Sequence, residues 1–253
     1  SYTFKVRAIL ILENHMKLSS RLLLLPAMIS LLMACGEESN TLSNPNAKNN
    51  DAETTTTCQD KDYCIATQFL DEPVVGLNYQ CNSIEGVTDE DGVFLCPNNS
   101  VATFFLKSGS GNKKIELGKY RVKTLGSSSD GSPVKLNLIV TPEDLVAQAD
   151  GATIDQTQLT NILRLLQALD SDGHSPNRVV NKIVLDSKDK LAIDELKADI
   201  PISFFSADSV DTLLKPMFDK LAPKSLANVS ATQALARFNE SLTSINAGVY
   251  EVI

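Results

Sequence analysis

The chain has 253 residues, a formal net charge of −8 at pH 7, 43% hydrophobic residues and no tryptophan. This length is sufficient to bury a hydrophobic core in one large domain or two small ones. An acidic surface repels phosphate backbones and anionic lipid head groups, so the composition argues against binding to nucleic acid and against membrane docking through basic residues.

Residues 16–34 have the pattern of a secretory signal peptide. Lys17 and Arg21 provide the positively charged start, and Leu22–Met33 is the apolar run that follows. The run has about 12 residues, whereas a membrane-spanning helix needs about 20. Residues 1–15 precede this signal and begin without a methionine, so we interpret them as an upstream or mis-started segment outside the fold.

The signal ends in Leu32-Met33-Ala34-Cys35, which resembles the lipobox of bacterial lipoproteins. The resemblance implies diacylglyceryl transfer to the Cys35 thiol, cleavage before Cys35 and acylation of the new amino terminus. It therefore implies a lipid anchor in the cell envelope of a Gram-negative bacterium, with the membrane as a partner. Gly36 follows the cysteine, and in enteric lipoproteins residues other than aspartate at this position generally permit transfer to the outer membrane.

Residues 35–57 are predicted to be the lipidated cysteine and a flexible tether. Leu42 is the only large apolar residue between 36 and 57, and aromatic residues are absent there. Such a composition cannot bury enough surface to offset its ordering entropy. A flexible segment of this length has an r.m.s. reach of about 25 Å, which would hold a domain away from the bilayer surface.

The remaining four cysteines, Cys58, Cys64, Cys81 and Cys96, predict two disulfides in an exported chain. Three pairings satisfy this count. Cys81 and Cys96 lie on strand-like runs on either side of a turn, so we expect Cys81–Cys96 across a hairpin and Cys58–Cys64 beside it. A four-cysteine zinc site is the alternative, but the paired spacing of structural zinc sites is absent.

Residues 58–140 predict a small antiparallel β module. The strand candidates are 74–81, 86–96, 100–107, 114–123 and 134–140, and residues 109–112 form a flexible loop of hairpin type. Within this stretch, a short pattern resembles the small β-sandwich repeats of bacterial surface proteins and carboxypeptidase-regulatory-like modules, which implies a module type rather than an activity. The residues that carry the pattern are Gly86, Thr88, Asp89, Gly92 and Phe94.

From Thr141 the apolar period changes from two to 3.6, which predicts a helical region over 141–253. Helices are expected near 154–169, 187–198 and 209–221, with a last helix after Ser230. Asp186, Asp208 and Ser230 are the expected caps. The fold class is therefore α+β, in which a disulfide-braced antiparallel β module precedes an α-helical region, after a signal peptide and a disordered tether.

The loop after the 154–169 helix is a candidate calcium site. Asp170, Asp172 and Asn177 surround Gly173 and offer the oxygen ligands that calcium prefers. The loop lacks the third acidic position and the distal glutamate of an EF-hand, and a helix end followed by Gly173 explains the same residues without a metal. Both interpretations stay open, and the sequence indicates no other cofactor.

A catalytic site is not indicated. His174 is the only histidine after the signal peptide, and nucleophile-elbow, zinc-protease, phosphate-loop and dinucleotide motifs are absent. We therefore expect an exposed loop histidine and assign no catalytic residue. The alternative function is a metal-assisted or carboxylate-based hydrolase of the cell envelope, with Asp155, Asp170 and Asp172 as its candidate acids.

The β module, the Val-Thr-Pro-Glu-Asp-Leu segment and the helix that ends in Leu-Asp-Ser-Asp-Gly are together similar to N-terminal regions of larger proteobacterial surface lipoproteins. The similarity implies a non-catalytic structural or interaction module, with an adhesion-accessory role and another envelope protein as its partner. Neither a small-molecule ligand nor a periplasmic or surface-facing orientation is indicated.

Overall fold

The computed structural model describes residues 58, 64–123, 138–146, 154–175, 178 and 180–250. Nine strands and five α-helices lie in these ranges, and their order confirms the α+β class. The strands are β1 Cys64–Phe69, β2 Val74–Val75, β3 Asn78–Cys81, β4 Ile84–Val87, β5 Val93–Pro97, β6 Val101–Lys107, β7 Lys114–Arg121, β8 Leu138–Val140 and β9 Ile183–Val184. The helices are α1 Pro142–Val146, α2 Gln156–Leu169, α3 Ser187–Ile193, α4 Val210–Lys220 and α5 Ala231–Asn246, with 3₁₀ turns at Ile202–Ser206 and Leu226–Asn228.

The strands form three sheets, with orders β4-β3-β6-β7, β5-β1-β8 and β2-β9. The first sheet is antiparallel throughout, and it contains the expected hairpin between β6 and β7. Phenylalanine rings pack at the centre of the β module: the Phe104 ring centroid lies 4.9 Å from that of Phe69 and 5.0 Å from that of Phe94. Burial of these rings is a main source of stability for the module.

Two strand pairs are parallel, and the second of them joins the β module to the helical region. β8 pairs with β1 just before α1, and β9 pairs with β2 between α2 and α3. The strand β9 lies inside the region predicted to be helical, so that prediction was incomplete. A two-residue strand is too short to produce a recognisable alternation. The result is one continuous core of β-module and helix residues.

The structure contains the Cys58–Cys64 and Cys81–Cys96 disulfides, with Cα atoms 5.6 and 5.8 Å apart. The expected hairpin geometry of the second pair is wrong. β3 turns into β4 through Asn82, which has a left-handed φ of 55°, whereas Cys96 lies on β5 in a different sheet. Asparagine tolerates this conformation, so the hairpin forms at Asn82, between β3 and β4, and not between Cys81 and Cys96. The Cys81–Cys96 bridge therefore links two sheets.

The helix predictions are confirmed for α2 and α5 and only partly correct for α3 and α4. Asp155 caps α2, and its predicted apolar stripe is buried. Asp186 and Ser230 each form a capping box. Asp208 is not a cap, because α4 begins after Ser209 and lacks a side-chain cap there. The predicted 187–198 helix ends at Ile193, where Lys113 donates to the carbonyl of Asp194 at 2.6 Å.

Within the described ranges, the helices are all too short or too polar to cross a membrane.

Tyr79 covers a glycine on the edge strand β4. A Cβ atom at Gly86 would lie 2.5 Å from the Tyr79 Cζ and hydroxyl oxygen, and this hydroxyl accepts a hydrogen bond from the Leu95 amide at 3.4 Å. We predict that Gly86→Ala destabilises the protein by about 1–3 kcal/mol, since the ring must move. Denaturant unfolding measures the change. In a Tyr79→Leu background the same substitution should cost clearly less, and an equal cost in both backgrounds would refute the contact as the cause.

Candidate functional site

Two acidic residues occupy the tight connection between β1 and β2. Asp71 and Glu72 are 0% and 3% exposed, and Leu70 and Pro73 form an isolated β-bridge on either side of them. Glu72 has a φ of 66°, a left-handed conformation that is rare for a residue with a Cβ atom. Backbone strain of this kind persists where the surrounding contacts enforce it. The buried acids therefore require a partner that compensates their charge.

Arg237 of α5 is that partner. Its Nε donates to Glu72 Oε1 at 3.0 Å, and its Nη2 donates to Glu72 Oε2 at 2.6 Å and to Asp170 Oδ2 at 2.8 Å. The paired bonds to Glu72 have the bidentate geometry that makes arginine–carboxylate pairs strong. Burial lowers the pKa of Arg237, but the hydrogen bonds and charges of Glu72 and Asp170 outweigh this effect and raise it. The Arg237 cluster comprises Asp71, Glu72, Asp170, His174 and Arg237.

Asp170 joins the end of α2 to this cluster. The helix ends at Leu169, as predicted, Asp170 is its C-cap, and Gly173 follows with a left-handed φ of 72°. Asp170 Oδ1 accepts hydrogen bonds from the amides of Asp172 at 3.1 Å and Val184 at 3.2 Å. Both carboxylate oxygens of Asp170 are thus engaged by donors of the protein itself.

Asp71 is the least satisfied member of the cluster. Its Oδ2 accepts a hydrogen bond from Gln167 Nε2 at 3.0 Å, while its Oδ1 is buried without a hydrogen-bond partner. Burial raises the pKa of Asp71 well above its ordinary value, although Gln167 and Arg237 oppose the shift. Burial also raises the pKa of nearby Tyr250, and the charges of Glu72 and Asp71 add to this effect. The site thus favours a protonated, neutral Asp71.

His174 lies in an exposed loop, as the sequence predicted, and it also belongs to the cluster. Its side chain is 29% exposed, and its Nδ1 lies 2.8 Å from Glu72 Oε1. The second ring nitrogen, Nε2, lies 3.8 Å from Glu240 Oε2 on α5. The imidazole is therefore held by a buried carboxylate on one side and faces an exposed carboxylate on the other.

The candidate calcium ligands do not converge in the described part of the loop. Asp170 is bound by Arg237, and Asp172 pairs with Arg178 instead. Asn177 lies outside the described residues. Groups of three or more histidine, cysteine, aspartate or glutamate side chains placed to hold a metal are absent from the described ranges. Calcium binding at this loop stays a prediction.

The candidate hydrolase acids are also separated. Asp155 caps the start of α2, where its side chain accepts from the Gln158 amide, and Asp170 lies just after the end of the same helix. At 1.5 Å per residue, these two positions are about 22 Å apart, whereas the carboxylates of glycosidases lie roughly 5–10 Å apart. Asp155 and Asp170 are therefore too far apart to act as the two carboxylates of such a site.

A second buried ion pair lies beside a shallow cleft. Lys224 donates to Asp189 Oδ1 at 2.9 Å and to the Leu169 carbonyl at 2.6 Å. Burial raises the pKa of Asp189 although Lys224 opposes the shift. The cleft has a volume of about 490 Å³ and is lined in part by Lys188, Lys220 and Pro223. Because Lys224 is already bound by protein acceptors, this pair attaches the segment after α4 to α2 and α3.

Comparison with known proteins yields no assignment: no protein-family profile, curated protein or solved structure matches the chain. The function must therefore be argued from the residues themselves.

Sequence reasoning missed Asp71, Glu72 and Arg237. A signal was present, because Arg237 lies three residues after Ala234 and one before Phe238, on the buried face of α5. A charged residue at an apolar position of a helix requires a buried partner. The adjacent acids between two apolar strand segments, Leu70 and Pro73-Val74, are the matching signal.

The raised pKa of Asp71 gives a pH prediction. The unfolded chain loses this proton near the ordinary value of 3.8, whereas the folded chain retains it to higher pH. The folded state then binds more protons, so the free energy of unfolding should fall as pH rises above about 4. Asp71→Asn removes the ionisation but keeps an acceptor for Gln167, and should unfold at higher denaturant concentration than the parent at neutral pH.

Denaturant midpoints between pH 4 and pH 8 provide the measurement. The difference in denaturant midpoint between Asp71→Asn and the parent should grow with pH until it reaches a plateau. Asp219→Asn, which removes an exposed carboxylate paired with Lys215, is the control and should shift stability by less than about 1 kcal/mol. A midpoint difference that does not change with pH would contradict the claim that Asp71 retains its proton in the folded state.

Proposed function

We propose that this chain is a lipid-anchored lipoprotein of a Gram-negative cell envelope, and that residues 58–253 form a non-catalytic structural or interaction module. The observation that carries the proposal is the sequence from Lys17 to Cys35, a short apolar run after two basic residues that ends in Leu-Met-Ala-Cys. Lipidation of Cys35 would supply the membrane partner, and Gly36 favours the outer membrane over inner-membrane retention.

The cysteine pairs support export. Both pairs lie at disulfide distance, and disulfides persist in oxidising compartments such as the bacterial periplasm. The acidic balance of the chain supports a lipid anchor rather than basic residues as the means of membrane attachment.

The contacts of the titratable side chains support a non-catalytic role. The buried acids Glu72 and Asp170 bind Arg237, and the buried acid Asp189 binds Lys224. These groups stabilise the folded state by holding separate elements together, whereas a catalytic acid or base must reach a substrate. The surface of such a module would be its functional part, and another envelope protein is the proposed partner.

Expression of residues 16–253 in a Gram-negative host tests the proposal. We expect an intact mass that corresponds to a chain that begins at Cys35 and carries three acyl groups, and recovery in the outer-membrane fraction. Cys35→Ser should remove the lipid mass and the protein's recovery in the outer-membrane fraction, because the acyl chains provide the anchor there.

The matched control is the Cys58→Ser/Cys64→Ser double variant, which removes two other cysteines and should stay lipidated and membrane-bound. A mature parent chain that retains its leader, or that begins at Cys35 without added lipid, would refute the proposal. So would a Cys35→Ser variant that is still recovered in the outer-membrane fraction.

A further inference from the structure

The orientation of His174 determines what its second nitrogen can do. Glu72 Oε1 lies 2.8 Å from Nδ1, and a carboxylate oxygen accepts a hydrogen bond, so this contact assigns the imidazole N–H to Nδ1. In the neutral ring, Nε2 then carries a lone pair. Since Arg237 holds Glu72 through two hydrogen bonds, the ring is oriented by a carboxylate that is itself fixed.

Glu240 lies close to the second ring nitrogen of His174. Its Oε2 is 3.8 Å from His174 Nε2, which is beyond hydrogen-bond distance, and its side chain is 71% exposed. His174 and Glu240 thus place a nitrogen and an oxygen ligand close together, at a place that water can reach.

The separation fits two ligands of one metal ion. Zinc binds imidazole nitrogen and carboxylate oxygen at about 2.0–2.2 Å, so two tetrahedral ligands lie about 3.4 Å apart. The exposed Glu240 side chain needs to move by only about half an ångström to reach that separation from its present 3.8 Å. A histidine that donates its other N–H to a carboxylate is also the usual arrangement at metal sites, where the carboxylate orients the ring.

The charge around the ring also favours a cation. Glu72 and Asp170 share one guanidinium, that of Arg237, which leaves an excess of one negative charge beside the imidazole. Glu240 adds a second negative charge on the outer side. A divalent ion at His174 Nε2 would therefore be attracted by the cluster behind it.

We propose that His174 Nε2 and Glu240 Oε2 bind one divalent transition-metal ion, with Glu72 as the carboxylate that orients the imidazole and with water in the remaining positions. This site shares the loop considered for calcium but differs from that candidate in its ligands, which are His174 and Glu240. Imidazole is a ligand for zinc and its neighbours in the transition series, whereas calcium selects oxygen ligands, so the site should discriminate between these ions.

Zinc titration of the full chain, purified in detergent and freed of metal, tests the site by calorimetry. We expect one saturable zinc ion per chain that calcium does not displace. His174→Asn and Glu240→Gln should each weaken zinc binding at least roughly tenfold, because loss of only an orienting partner already weakens metal sites about 10–100-fold.

Glu195→Gln is the control, since it removes another exposed carboxylate, which pairs with Lys220 at 3.7 Å. This variant should bind zinc as the parent does. Glu240 is exposed, so Glu240→Gln should leave the denaturant unfolding curve unchanged and its effect on zinc can be read directly. Absence of saturable zinc binding, or equal affinity in Glu240→Gln and the parent, would overturn the proposal.

Discussion

The packing of the β module against the helices depends on the hydrogen bonds of the Arg237 guanidinium. This guanidinium bonds a carboxylate from the β1–β2 connection and a carboxylate from the end of α2, and it belongs to α5. Three elements distant in the sequence therefore meet at one positive charge. Removal of one partner from a buried ion pair is strongly destabilising, commonly by about 3–5 kcal/mol, because the remaining charges stay buried. The same contacts hold Glu72 in its left-handed conformation.

This arrangement explains why the β module and the helical region share one core. Strand β9 of the helical region hydrogen-bonds to β2, and the Arg237 cluster connects the β1–β2 connection and the end of α2 to α5. Lys224 and Asp189 attach the segment after α4 in a similar way. Burial of these ionic groups adds specificity to an apolar core, since each charge has few places where it is compensated. The proposed metal site lies on the outer side of the same cluster, where Glu72 fixes the imidazole of His174.

Local sequence patterns predicted the helices and strands better than they predicted which of these elements lie next to one another. The apolar stripe of α2 and the caps at Asp186 and Ser230 were predictable because helix periodicity and capping act within a few residues. The Cys81–Cys96 disulfide was predicted, but its position between two sheets was not, since the turn at Asn82 pairs β3 with β4. The site was harder still: Glu72 and Arg237 are 165 residues apart, and periodicity carries no information about which buried charges meet.

A double-mutant cycle between Glu72 and Arg237 tests the central claim most directly. The free energies of unfolding of Glu72→Gln, Arg237→Met and the double variant would be compared with that of the parent. If the two side chains hold the elements together, each single variant is strongly destabilised and the double variant loses clearly less than the two losses combined, with a coupling above about 1 kcal/mol. Additive losses, with a coupling near zero, would contradict the account.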